Sequence, residues 1–145
     1  MKAKKVGIVL AVIAITLGLT ASPAWAVGRI KNATPYYFTG VMFNEGPDEA
    51  DCTVWNGVNG GSTRSPYTFT HCDQWNIAPQ STTSLFDDFD AFRPSFSYPG
   101  IYYYVRFRGG SWVTPVHYTE YTRIRTVQLA HCYMSGSNIE CDIRG

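Results

Sequence analysis

Two short segments of this chain place tyrosine and arginine at alternate positions, a pattern suited to recognising a partner. Successive strand residues point to opposite faces, so in the first segment Tyr102, Tyr104, Arg106 and Arg108 share one face. The second segment repeats the spacing with Tyr121, Arg123 and Arg125. Tyrosine supplies rigid amphipathic area and arginine a planar fork for carboxylate or phosphate. If residues 109–116 connect neighbouring antiparallel strands, the two rows merge into one binding surface, which we call the predicted Tyr/Arg platform.

Two alternatives to this platform stay open at the level of sequence. An outward sheet face with cross-strand Tyr/Arg pairs would stabilise the fold without any ligand. Alternatively, Trp55 and Trp112 each adjoin a glycine-rich loop, which can display an aromatic ring to a sugar or to a partner's cleft. The first of these loops, held by a disulfide, would also suit a secreted inhibitor of an extracellular enzyme.

Candidates for acid–base catalysis are few. His71, His117 and His131 are the only side chains that ordinarily titrate near neutrality, and two of them directly precede a cysteine, which favours a structural role. The chain contains no nucleophile elbow, zinc-protease, P-loop or dinucleotide-binding motif. The sequence therefore favours a non-enzymatic role without a cofactor.

One segment points towards enzyme chemistry. Residues 117–125, His-Tyr-Thr-Glu-Tyr-Thr-Arg-Ile-Arg, resemble the His/Glu-Tyr-Thr strand of the small secreted guanyl-specific microbial ribonucleases. In that family a glutamate is the base, arginines hold the phosphate and a later histidine is the acid. The resemblance implies these roles for Glu120, Arg123, Arg125 and His131. Strand alternation, by contrast, predicts Glu120 on the face opposite the two arginines unless a bulge intervenes.

The acidic residues Asp87, Asp88 and Asp90 are a candidate calcium site, because that cation prefers carboxylate oxygens. They lack the glycine and the terminal glutamate of an EF-hand loop. Acidic residues also favour the first turn of a helix, the neighbouring apolar residues fall at helical spacing, and Pro94 lies beyond them. The sequence therefore predicts one short helix near 85–92 and no metal site.

The remaining pattern is that of an all-β protein. Short runs rich in Tyr, Phe, Val and Ile alternate with frequent Gly, Pro and Asn turns, which is typical of a small antiparallel β-sandwich or barrel. Residues 101–108 are the clearest strand, with Tyr103 and Val105 towards the core. Residues 36–43 are predicted to be a central strand in which Gly40 marks a bulge or a close backbone approach, and residues 118–129 a third strand.

Four cysteines, Cys52, Cys72, Cys132 and Cys141, predict two disulfides. Three pairings are possible. Local closure favours Cys132 with Cys141, which flank a hairpin-like segment, and this leaves Cys52 with Cys72. The spacings match no metal-binding motif.

The first 26 residues have the three parts of an export signal. They contain a basic start, an apolar run over residues 6–19 and small residues before a cut after Ala26. The apolar run is shorter than the ~18 residues of a membrane-spanning helix. The sequence therefore predicts a signal peptide over 1–26 and a single secreted, extracellular β domain over 27–145, without a stable membrane anchor.

Removal of that signal would leave nine basic and eleven acidic residues, a net charge of −2. This balance disfavours nucleic acid as the main partner, although a local basic face remains possible. We therefore expect a secreted, non-enzymatic binding domain that recognises an extracellular protein or glycan. A secreted inhibitor and a ribonuclease-like hydrolase are the alternatives.

Overall fold

The computed structural model describes residues 27–43, 50–57, 59–97, 99–113 and 118–145. Within these ranges the chain forms strands and no helix, arranged as two five-stranded sheets. The strands are β1 Arg29–Ala33, β2 Phe38–Phe43, β3 Ala50–Val54, β4 Tyr67–Ile77, β5 Ser81–Thr82, β6 Ala91–Pro94, β7 Tyr102–Phe107, β8 Thr122–Arg123, β9 Leu129–Ser135 and β10 Asn138–Arg144. The predicted all-β class is confirmed.

The first sheet has the strand order β5-β1-β9-β10-β7. Its centre is the antiparallel hairpin of β9 and β10, which turns at Gly136 with a φ of 62°. The pairs β1–β9 and β10–β7 are parallel, so this sheet is mixed, not purely antiparallel as expected. Parallel neighbours must come from distant parts of the chain, and hairpin signals in the sequence do not reveal them.

The second sheet has the order β3-β4-β2-β6-β8, and all of its strand pairs are antiparallel. A parallel bridge between Val54 and Tyr121 joins its two edges and curls the sheet into a half-barrel. The predicted central strand is confirmed as β2. Gly40 permits the close approach expected there, because a Cβ at this position would lie 2.6 Å from the Phe89 ring.

Two apolar clusters hold the sheets together. The larger lies between them and includes the fully buried Trp55, Phe38 and Phe92. The smaller lies on the other face of the second sheet, inside the half-barrel, and includes Val41 and Tyr121. Both faces of the second sheet are therefore apolar, whereas only the inner face of the first sheet is.

The predicted helix near 85–92 is wrong. Residues 85–86 form a turn, and β6 begins at Ala91. The Asp88 carboxylate accepts a hydrogen bond from the Gly28 N–H at 2.6 Å, and the Asp90 carboxylate accepts one from the Phe43 N–H at 2.8 Å. These acids therefore bind the backbone of other segments instead of capping a helix.

Both predicted disulfides are confirmed, and no cysteine in the described residues is free. Cys132 and Cys141 lie directly opposite each other in the β9–β10 hairpin, with their Cα atoms 4.0 Å apart. Cys52 and Cys72 tie β3 to β4 inside the half-barrel. The described chain contains no helix long and apolar enough to cross a membrane.

Candidate functional site

The outward face of β7 carries the aromatic and basic side chains expected there. Tyr103 and Val105 are buried, with exposures of 5% and 0%, whereas Tyr102 is 56% exposed and Tyr104 and Arg106 are partly exposed. Arg108 lies just beyond the strand in a left-handed backbone conformation with a φ of 51°. The face assignment of residues 102–107 is thus confirmed.

The neighbours of this row come from the first sheet. Tyr104 lies opposite Glu140, which lies opposite Tyr133. In the next row Arg106 lies opposite Asp142, followed across the sheet by His131 and Lys31. These outward residues form a surface that we call the first-sheet face, made of Arg29, Lys31, Tyr102, Tyr104, Arg106, His131, Tyr133, Glu140, Asp142 and Arg144.

An ion network fixes one end of the first-sheet face. Arg106 Nε lies 3.1 Å from Asp142 Oδ1, and Arg144 Nη2 lies 2.7 Å from Asp142 Oδ2. Burial alone would raise the pKa of Asp142, but hydrogen bonds from both arginines outweigh it and hold the pKa below its ordinary value. The same hydrogen bond to Asp142 raises the pKa of Arg106.

His131 lies beside this network, with its ring 5.5 Å from that of Tyr133. Burial lowers the pKa of His131, and the positive charges of Lys31 and Arg144 lower it further, with Asp142 opposing them. Burial, together with the Glu140 charge, raises the pKa of Tyr133. The lowered pKa favours the neutral form of His131.

The second row of the predicted Tyr/Arg platform is elsewhere. Residues 118–129 are not one strand, because only Thr122–Arg123 form β8 and turns lie on both sides. β8 belongs to the second sheet and β7 to the first, so Tyr121, Arg123 and Arg125 do not extend the β7 row. The single merged platform is therefore wrong.

The structure places these three side chains in different surroundings. Tyr121 is 3% exposed inside the half-barrel. The Arg123 guanidinium lies over the stacked rings of Phe43 and Phe69, at 5.2 and 5.0 Å, and burial lowers its pKa while the charge of Asp90 opposes that shift. Arg125 Nε donates to the Asn59 carbonyl at 2.9 Å.

The residues implied by the ribonuclease resemblance are not brought together. Glu120 Oε2 pairs with Arg64 Nη2 at 3.1 Å on the surface. Arg123 packs inside the half-barrel, whereas His131 lies on the outward face of the other sheet. His117 lies outside the described residues. Among the described residues, no acid–base pair faces a phosphate-binding arginine in one cleft.

The two tryptophans next to glycine-rich loops differ in their exposure. Trp55 is 1% exposed and donates from Nε1 to Thr122 Oγ1 at 3.0 Å, so it closes the core. Trp112 is 36% exposed, with the Arg106 Cζ atom 4.5 Å from its ring centroid. It borders an open cleft of about 490 Å³ where the two glycine-rich loops meet, lined by Ser62, Phe107, Gly110, Ser111, Trp112 and Val113.

Sequence reasoning singled out both loops but did not place them together. The cleft lies between loops that leave different sheets. Ser62 follows β3 of the second sheet, and Trp112 follows β7 of the first sheet. No motif in the sequence marks this meeting point. In the described part of the chain, no group of three or more His, Cys, Asp or Glu side chains could hold a metal ion.

Comparison with protein-family models, with curated proteins and with solved structures finds no match for this chain. Its function therefore has to be argued from the geometry of the first-sheet face and of the Trp112 cleft.

Proposed function

We propose that this protein is a secreted, non-enzymatic binding domain that recognises an extracellular protein through the first-sheet face. The main support for the proposal is the order of side chains across the first sheet. One row contains Tyr104, Glu140 and Tyr133, and the adjacent row contains Arg106, Asp142, His131 and Lys31. Tyrosine and arginine are the residue types most enriched at the energetic centres of protein interfaces. A sheet on which they adjoin offers broad contact area to a partner.

The charges of the face favour a partner with acidic groups. The face contains four basic residues and two acidic ones: Arg29, Lys31, Arg106 and Arg144, with Glu140 and Asp142. The Asp142 side chain is only 4% exposed and is shared by two arginines, whereas that of Arg144 is 65% exposed. The accessible charge is therefore mainly positive, in a chain whose predicted mature form is mildly acidic. Complementary charge of this kind speeds association and sets orientation.

Secretion is supported by two independent features. The export pattern of residues 1–26, which lie outside the described residues, predicts cleavage near Val27. Both disulfides fit an oxidising extracellular environment. Residues 27–145 then form the released domain.

The inhibitor alternative would use the loop that begins at Asn56, and hydrogen bonds restrain this end of the loop, which is compatible with an inhibitory role. The Asn56 side-chain amide donates to the Gly61 carbonyl at 3.1 Å and to the Arg123 carbonyl at 2.9 Å. The Asn56 carbonyl oxygen also accepts from the Arg123 N–H at 2.7 Å. The Asn56 end of the loop is thereby bound to β8, and Asn56 also links the two ends of the loop through Gly61.

The test compares two variants that each remove exposed aromatic rings. The double variant Tyr104→Ala/Tyr133→Ala alters the first-sheet face, and Trp75→Ala removes a 54% exposed ring from the second sheet. Each purified protein is cross-linked to the extracellular and surface fraction of the cells that produce it, and captured proteins are quantified by mass spectrometry. The expected result is a saturable protein partner that is lost only with the double variant and weakens as salt is raised.

Two outcomes would overturn this assignment. The same partner could be captured equally well by wild type and by the Tyr104→Ala/Tyr133→Ala variant. Alternatively, capture could survive protease treatment of the fraction and disappear after enzymatic removal of polysaccharide, which would identify a glycan as the ligand of the face.

A further inference from the structure

We propose that the cleft beside Trp112 binds an uncharged saccharide, with one sugar ring stacked on the indole. This site goes beyond the proposed function, because it lies at the loops between the sheets and takes a different class of ligand. The cleft volume of about 490 Å³ falls in the range of small-ligand sites, about 300–1,000 Å³.

The lining of the cleft matches the two-sided chemistry of a sugar ring. A pyranose ring has a flat face of apolar C–H groups and a rim of hydroxyls. Trp112 and Phe107 supply aromatic surface for the apolar face, because the electron-rich face of a ring attracts the positively polarised C–H groups. Ser62 and Ser111 supply hydroxyls that can both donate and accept hydrogen bonds at the rim.

These two hydroxyls are available to a ligand. In the part of the chain that the structure describes, neither the Ser62 nor the Ser111 side chain has a hydrogen-bond partner, and both residues are exposed. Among the described residues, the cleft is lined by no charged side chain. A charged sugar would gain no ion pair with these lining residues. The Arg106 guanidinium, which contacts the indole, is already paired with Asp142, so an uncharged saccharide is the better match.

The indole is held in place before any ligand arrives. The Arg106 guanidinium lies 4.5 Å from the Trp112 ring centroid, and Arg106 Nε is itself 3.1 Å from the nearly buried Asp142 carboxylate. Trp112 is thus anchored through Arg106 to the first sheet, while its exposed part borders the cleft. Ordering the ring in advance lowers the entropy cost of binding. Arg106 and Asp142 act here as positioning residues.

The local backbone explains why both loops need glycine. Gly61 precedes Ser62 with a φ of 108°, and Gly109 precedes Gly110 with a φ of 71°. Side-chain-bearing residues rarely adopt these conformations. A side chain at Gly110 would also be crowded, since its Cβ would lie 3.1 Å from the Phe107 carbonyl oxygen. The glycines therefore shape both walls of the cleft.

The experiment titrates the secreted protein with defined uncharged hexasaccharides of glucose, xylose, mannose and N-acetylglucosamine, followed by calorimetry. Trp112→Ala removes the stacking ring, and Trp75→Ala is the matched control on another surface. At least one hexasaccharide should bind wild type, Trp112→Ala should weaken that binding at least tenfold, and Trp75→Ala should leave it unchanged. Circular dichroism and thermal melting verify that each variant folds.

Further variants test the positioning role of Arg106 and provide a second test of the cleft if Trp112→Ala does not fold. Arg106→Lys retains the charge but loses the planar stack, so saccharide binding should weaken. The tryptophan fluorescence anisotropy should also fall in a Trp75→Phe background, where Trp55 emits equally in both proteins and the difference reports on Trp112. If Trp112→Ala fails to fold, Ser62→Ala/Ser111→Ala replaces it and should weaken binding several-fold.

The proposal fails if no hexasaccharide binds wild type at millimolar concentration. It also fails if a hexasaccharide binds equally to wild type and to a folded Trp112 or serine variant. The Tyr104→Ala/Tyr133→Ala variant should keep full saccharide binding, so a failure of the cleft and a failure of the first-sheet face are distinguishable.

Discussion

The main chain of Tyr121 is hydrogen-bonded to the residues on both sides of Val54. The Tyr121 N–H donates to the Thr53 carbonyl at 2.9 Å, and the Trp55 N–H donates to the Tyr121 carbonyl at 3.1 Å. These bonds join the edges of the second sheet and place the Tyr121 ring inside the half-barrel. A residue expected on an outward binding surface is therefore part of a core.

Two substitutions at Tyr121 should have opposite effects on stability. Tyr121→Ala should lower the free energy of unfolding by about 3–5 kcal/mol, because it leaves a cavity in place of a buried ring. Tyr121→Phe should be neutral or stabilise by up to about 1 kcal/mol, since the buried Tyr121 hydroxyl has no hydrogen-bond partner among the described residues. Urea denaturation measures both. A Phe variant as unstable as the Ala variant would contradict the assignment.

The two faces of β7 should respond differently to substitution. Val105 is fully buried, so Val105→Asp should unfold the domain by burying an unpaired charge. Tyr104→Ala on the outward face should shift the free energy of unfolding by less than about 1 kcal/mol. Circular dichroism and urea titration compare the two. A folded Val105→Asp protein with an unstable Tyr104→Ala protein would show that the faces are reversed.

The purified protein should contain no free thiol. Intact mass before and after alkylation without reductant should be the same, and peptide mapping should link Cys132 with Cys141. Replacing either cystine by two serines should cost about 2–4 kcal/mol, somewhat more for Cys52–Cys72 because it closes 20 residues against 9. Labelling of the unreduced protein, or a peptide linking Cys52 to Cys141, would disprove the pairing.

His131 should make the fold less stable in mild acid. Its pKa is lowered in the folded state, so the unfolded chain, with an ordinary value near 6.5, binds the proton more tightly. Stability is therefore lost as pH falls below about 6.5 towards the folded pKa. The decrease in Tm between pH 7 and pH 5 should be smaller in His131→Gln. His71 is exposed and present in both proteins, so its contribution cancels. An equal or steeper decrease in the variant would refute this linkage.

Purified protein should not cleave RNA. Glu120 is paired with Arg64 and lies beside a different sheet from His131, so these two described residues do not flank one phosphate. Incubation with RNA, followed by electrophoresis, compares wild type with Glu120→Gln. Cleavage by wild type that is lost in a folded Glu120→Gln variant would establish the ribonuclease-like alternative.

Features that depend on neighbouring residues could be read from the sequence. Alternation along 102–107 predicted which β7 side chains are buried, because the period of a strand is set by its own backbone. The hairpin closed by Cys132 and Cys141 was predictable for the same reason, since the nine-residue separation keeps both cysteines near each other in any compact state. The all-β class followed from strand-forming runs between frequent turns.

Features that depend on distant contacts were not predictable. Residues 85–92 have helical spacing, but hydrogen bonds from the backbone of Gly28 and Phe43 bind the Asp88 and Asp90 carboxylates, and the segment forms a turn and the start of β6 instead of a helix. Residues 118–129 alternate like a long strand, yet the main-chain bonds of Tyr121 to β3 interrupt that strand and bury its ring. In both cases tertiary hydrogen bonds outweigh local preference.

The sequence alone determined the outward row of β7 and the chemical character of the two glycine-rich loops, and it favoured the two cystines among three possible pairings. Only the tertiary structure decided that the β7 row adjoins Glu140 and Asp142 instead of Tyr121 and Arg123, and that Ser62 and Trp112 border one cleft. Side-chain direction along a strand is a local property of the backbone. The choice of neighbouring strand is set by burial and hydrogen bonding summed over the whole chain, and no single segment contains that information.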